Sequence, residues 1–381
     1  MNRRQFTGLI ASAGAGLAIR RAIERTRLLF NGDSRTNLKF WIWIGNDVNS
    51  SVDDWKKRFA VMKDSGIDAI LPEIYNSHQA FYESKHLPYS NKWLETIMPI
   101  AKAEGLEVHA WMWSMPCNID DVVTKHPDWY VVNRLGESST VKPAYVPFYK
   151  FLCASHPDAC EFVRETVEEL SQFDRLDGIH FDYIRYPDVI LPKGLQPKYH
   201  LIQDRELPQF DYCYCDLCRS DFRKQTGADP KEIPDPSSDT SWLQFRYDRI
   251  THLVNDILIP TAKKRGKSVS AAVFPNWKNV RQEWPKWNLN GVLPMLYAGF
   301  YDEGVDWIES QTADGVISLD RKLPLYSGLF APQLSSNDLR NAIRGSIRSG
   351  AHGVSLFSSQ GMTDDKWSAF KSEVALEDDS R

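Results

Sequence analysis

The chain has 381 residues, 42% of them hydrophobic and 25% charged, with 13 tryptophans. That composition suits a globular protein long enough for one (β/α)8 barrel, which takes about 250 residues or more with insertions. A formal net charge of −4 with no basic stripe excludes the footprint of a nucleic-acid binder, and no apolar run reaches the ~20 residues that cross a bilayer.

Taken in order, the chain opens on Asn2-Arg3-Arg4-Gln5-Phe6-Thr7 and an apolar Gly8 to Ala18. This pattern reads as a twin-arginine signal, so residues 1–30 are set apart as signal and linker, and export to the periplasm or medium is expected. Over residues 38–375, eight apolar strand-like runs alternate with amphipathic helical stretches. The runs are Leu38 to Ile44, Ile67 to Tyr75, Leu106 to Ser114, Leu176 to Arg185, Ser268 to Phe274, Gly291 to Tyr297, Leu323 to Phe330 and Gly353 to Phe357. Helices are expected at Trp55 to Lys63, Trp93 to Glu104, Glu161 to Phe173 and Trp242 to Lys264. The order predicts an α/β fold, a parallel (β/α)8 TIM barrel. A doubly wound sheet would need a phosphate-binding glycine turn after the first strand, and none is there. Residues 116–158 and 188–238, after strands three and four, are too long for turns and read as insertions that shape a substrate site.

The fourth run carries the chemistry. Period-two alternation puts Ile179, Phe181 and Tyr183 on one face and His180 and Asp182 on the other, with Asp182 at the carboxyl end, where barrels place catalysis. On the third run His109, Trp111 and Trp113 share a face directed at the barrel interior. Glycosidic cleavage uses two carboxyl groups. Asp182 is one; Glu73, inward at the end of strand two, or Asp302, in the loop after strand six, is the other. Asp177 is expected to fix the turn into strand four. Trp111, Trp113, Trp277 and Tyr297 would stack on sugar faces. His109, His180, Arg185 and Tyr186 would bind hydroxyls, with Arg185 also a partner for Asp182.

Of the six cysteines, Cys213, Cys215 and Cys218 crowd the second insertion. Their spacing allows three ligands to one structural zinc, with Cys117 or Cys153 as the fourth; disulfides and free thiols remain as alternatives. No catalytic metal motif is present, since there is no His-Glu-x-x-His helix.

The stretch Asp177-Gly178-Ile179-His180-Phe181-Asp182-Tyr183-Ile184-Arg185-Tyr186-Pro187 resembles the hallmark strand of the bacterial family 10 glycosylhydrolase-like proteins. Gly105 to Trp111, His126-Pro127-Asp128-Trp129, Gly136 and Leu152 to Pro157 are similar to other parts of that family. The resemblance implies a barrel enzyme acting on polysaccharides. One departure is Pro294-Met295-Leu296-Tyr297, where the family often has Pro-Gln-x-Tyr. The Cys-x-Cys-x-x-Cys insertion also resembles the zinc cluster of family 42 β-galactosidases, which implies a structural metal. The expected protein is therefore an exported glycoside hydrolase that needs no cofactor for catalysis. A barrel that binds carbohydrate without cutting it is the rival reading. The sequence leaves the oligomeric state open.

Overall fold

Strands form where the period-two runs place branched and aromatic side chains on alternate faces. The computed structural model describes residues 38–320 and 322–379; the signal expected over residues 1–30 lies outside them. The strands are β1 (Trp41–Ile44), β2 (Ala69–Tyr75), β3 (Glu107–Trp113), β4 (Gly178–Asp182), β5 (Ser268–Val273), β6 (Gly291–Pro294), β7 (Ser327–Phe330) and β8 (Val354–Phe357). All pair in parallel in the order β6-β5-β4-β3-β2-β1-β8-β7, and parallel bridges from Val292 to Leu325 and from Met295 to Gly328 nearly close the ring.

The helices are α1 (Val52–Asp64), α2 (Trp93–Ala103), α3 (Asp120–Lys125), α4 (Pro157–Ser171), α5 (Asp216–Thr226), α6 (Thr240–His252), α7 (Ile259–Lys263), α8 (Val305–Ser318), α9 (Ser336–Arg348) and α10 (Asp364–Asp379). A π-helical segment, Leu253–Leu258, joins α6 to α7, so the helix expected over Trp242 to Lys264 runs unbroken with a widened middle. The alternation fails once. Between β5 and β6 the chain makes only two short 3-10 turns, at Trp277–Val280 and Trp284–Lys286, because Pro275 and Pro285 interrupt any longer helix. The connection after β3 holds α3, and the one after β4 holds α5.

Two apolar layers follow from the strand period. Ile42, Ile70, Val108, Ile179, Phe181 and Val269 face outward into the main core. Trp41, Trp43, Leu71, Trp111, Ala272 and Leu293 point inward and pack on one another inside the ring. Asp177 secures the approach to β4, as expected: its carboxylate accepts from Lys102 Nζ at 2.8 Å and from the Val108 amide at 2.7 Å.

The floor of the barrel depends on a missing side chain. A Cβ at Gly178 would fall 2.3 Å from His109 Nδ1 and 2.6 Å from the Ser268 carbonyl. Gly178→Ala should therefore cost about 1–3 kcal/mol through overpacking. Urea denaturation reads this as a lower midpoint, and an unchanged midpoint would disprove the close approach.

Candidate active site

At the carboxyl ends of the strands lies a cavity of about 550 Å³ whose lining includes Glu73, Trp111, Trp113, Asp182, Arg185 and Tyr297. Period two delivers these groups. Glu73 stands two residues beyond Leu71 on β2, and Asp182 two beyond His180 on β4, so each clears the packed interior and reaches the mouth.

Asp182 is 8% exposed. Its Oδ2 accepts from the Trp111 indole at 3.0 Å and its Oδ1 from the Tyr183 amide at 2.7 Å. Burial pushes its pKa up to about 6, against the pull of those two donors and of the Arg185 charge. Glu73 accepts a short hydrogen bond from the Asn46 side chain. Burial, and secondarily the charge on Asp182, pushes Glu73 up to about 7, while Asn46 and the nearby Trp113 indole act in the opposite direction. The two carboxyl groups thus share one cavity and sense each other.

The remaining wall is aromatic. Trp113 lies 4.6 Å from Tyr183, and Tyr297 lies 5.2 Å from Phe330 and 5.8 Å from Phe357, ring centre to ring centre. Tyr145, Tyr149 and Tyr199 close the side built by the two insertions. Met295, the departure noted in Pro294-Met295-Leu296-Tyr297, also faces this cavity. Arg185 lines it too, but its guanidinium pairs with Asp188 at 3.0 Å and lies 4.7 Å over Phe274. Its direct ion partner is Asp188, and it touches Asp182 only through its field.

Several expected contacts fall elsewhere. His109 and His180 do face inward, yet they fill the layers below the cavity. His109 bonds Glu107 at 3.0 Å, and His180 Nδ1 meets Ser270 Oγ at 2.9 Å. Burial lowers the pKa of both, so they are neutral core histidines. Tyr183 takes φ 51°, which ends β4 at Asp182 and brings its ring into the cavity, where alternation placed it on the outer face. The same turn sends Tyr186 to the opposite side, where it is buried away from the cavity. Asp302 has φ 62° after the 3-10 turn Ala298–Tyr301, so its side chain swings outward to Lys193 at 3.0 Å, while Phe300 and Tyr301 take the cavity positions. Trp277, in the 3-10 turn after β5, packs on Tyr247 at 5.2 Å and lies off the lining. Trp43 and Phe357 were not singled out from sequence, although each sits at an inward position near the end of its strand. The period that found Asp182 would have found them.

Residues 40–191 match the family Glycosyl hydrolase-like 10. That segment runs from β1 through β4 and contains both Glu73 and Asp182. Comparison with curated protein sequences finds no match. Among solved structures, the catalytic domain of β-amylase from Paenibacillus polymyxa aligns at TM-score 0.62 and 11% identity, covering 90% of this chain and 98% of that one. β-Galactosidase from Marinomonas ef1 aligns at TM-score 0.62 and 10% identity, over 90% of this chain and 60% of that one. The cold-adapted β-galactosidase from Rahnella sp. R3 gives 0.63 and 12%, over 90% and 56%. The fold is the TIM barrel, shared with these structures, and the match to glycosyl hydrolase-like 10 covers its first four strands.

Beyond the glycosyl hydrolase-like 10 segment, the second insertion returns to meet it. Cys213, Cys215 and Cys218 come together with Cys153, their Sγ atoms all within 4.8 Å of one another, and none of the cysteines forms a disulfide. Cys117 lies outside this group. No helix among the described residues is long and apolar enough to cross a membrane.

Proposed function

We propose that this protein is a glycoside hydrolase that cleaves an O-glycosidic bond in a poly- or oligosaccharide, with Glu73 as proton donor and Asp182 as its ionised partner. One observation carries the reading: two carboxyl groups from different strands line one aromatic cavity, with pKa values pushed to about 7 and about 6. The group with the higher value keeps its proton near neutrality and can pass it to the leaving oxygen. The other is charged there and can act as nucleophile or general base. Trp111, Trp113 and Tyr297 would stack against the apolar faces of sugar rings, so the substrate is held mainly by ring contact. No cofactor takes part in this scheme.

The rate should follow a bell in pH. It falls on the acid side as Asp182 gains a proton and on the alkaline side as Glu73 loses its own, giving limbs near pH 6 and 7 that belong to the coupled pair. A panel of polysaccharides scored for new reducing ends across pH 4 to 9 tests both claims. Glycan binding without release of ends at any pH would replace the hydrolase by a carbohydrate-binding barrel.

Export is the second part of the proposal and rests on Arg3, Arg4 and the apolar run behind them. Cell fractionation should place the wild-type chain outside the cytosol, and a paired Arg3→Lys, Arg4→Lys variant inside it. A wild-type chain retained in the cytosol would end the export claim and leave the hydrolase claim standing.

A further inference from the structure

We infer that Cys153, Cys213, Cys215 and Cys218 bind one zinc ion, which fastens the two insertions together behind the substrate cavity. The sulfur geometry carries the assignment. Cys153 Sγ lies 3.5 Å from Cys218 Sγ and 3.8 Å from Cys215 Sγ. Four sulfurs at about 2.3 Å around a tetrahedral centre stand about 3.8 Å apart. A disulfide needs ~2.0 Å, and none of these cysteines forms one.

Independent observations point to the same ligand. The Val132 amide faces Cys213 Sγ at 3.5 Å and the Cys218 amide faces Cys215 Sγ at 3.5 Å, donors of the kind that hold metal-bound thiolates in place. The Tyr186 hydroxyl is buried without a hydrogen-bond partner, and its thiol neighbours are Cys218, Cys153 and Cys213. All-sulfur tetrahedral ligation selects zinc over calcium or magnesium. Binding displaces any protons the four thiols carry, and no redox change is involved.

The position gives the ion its role. Cys153 ends the segment that carries Tyr149 and Phe151, and Tyr186 directly follows Arg185. Tyr149 and Arg185 line the cavity, so the metal sits one layer behind its wall. The zinc is thus a positioning element for the wall and does not touch substrate.

The test uses the full chain purified without added metal, measuring zinc by mass spectrometry. One zinc per chain is expected, falling to none in Cys153→Ser and Cys218→Ser and staying at one in Cys117→Ser. Replacement by cobalt should give the visible bands of a tetrahedral thiolate site, which reports on wild-type protein even if the serine variants fail to fold. Chelation should also lower the thermal midpoint of the wild type. Protein that takes up neither zinc nor cobalt, or a disulfide among these four cysteines in the folded chain, would overturn the assignment. Zinc retained in both cluster variants would do the same. These readouts are independent of glycoside cleavage.

Discussion

Asp182→Asn is expected to lower turnover by a factor on the order of 10³ or more and to remove the pH dependence that this group gives to stability. The amide cannot act as nucleophile or base, and its single oxygen can keep only one of the two donors, the Trp111 indole on Oδ2 at 3.0 Å or the Tyr183 amide on Oδ1 at 2.7 Å. The pH dependence follows from linkage. Folding raises the Asp182 pKa from 3.8 to about 6, so between those values the folded state holds a proton that the unfolded chain has released. Stability from this group is therefore complete below pH 4, falls as pH rises through that window, and is lowest above pH 6. A shift of that size corresponds to roughly 3 kcal/mol; the neutral amide removes this penalty but leaves one of the two donors facing its NH2 group. Thermal unfolding at pH 4 and pH 8 checks the sign: the melting temperature of the variant relative to wild type should be several degrees more favourable at pH 8 than at pH 4. An active variant would remove Asp182 from the mechanism proposed, and a melting difference that does not change between pH 4 and pH 8 would show that folding does not raise its pKa.

Glu73→Gln should separate the roles of the two acids. Loss of a proton donor is expected to slow hydrolysis of natural glycans by about 10²–10⁴-fold, because the leaving oxygen must depart unprotonated. Aryl glycosides whose leaving group needs no proton should lose far less. The alkaline limb of the pH profile should vanish with the group that titrates near 7, while the acid limb set by Asp182 stays near 6. Equal loss on both kinds of substrate, with the alkaline limb intact, would show that another group donates the proton. Asp302 is poorly placed to be that group, being exposed and paired with Lys193.

The strand faces were legible before any coordinates, since alternation at period two is a local property. Glu73, Trp111, Trp113 and Asp182 all follow from counting back along an apolar run, and each lines the cavity. The same counting could not tell depth. His180 and Asp182 share a face, but one lies in a packed layer against Ser270 and the other at the open mouth. Depth is set by where the neighbouring strands end and by how the barrel tilts.

The loops were misread for a different reason. Tyr183 adopts a left-handed backbone conformation that redirects the side chains after it, and Asp302 one that turns its own side chain away from the cavity. That is why Tyr186 went to the thiol cluster, why Arg185 found Asp188, and why Asp302 reaches out to Lys193 while Phe300 and Tyr301, in the 3-10 turn before it, line the cavity. Cys153 joined Cys213, Cys215 and Cys218 across 59 residues of intervening chain, and spacing alone grouped only the last three.

By itself the sequence determined the eight-stranded alternation, the inward acids of β2 and β4 and the crowding of three thiols, because those are set by residue periods and short spacings. The tertiary structure alone decided which inward groups are solvent-accessible, which loop residues line the cavity and which cysteine completes the cluster. Those depend on non-local packing, where burial by distant segments sets both the position and the proton affinity of each side chain.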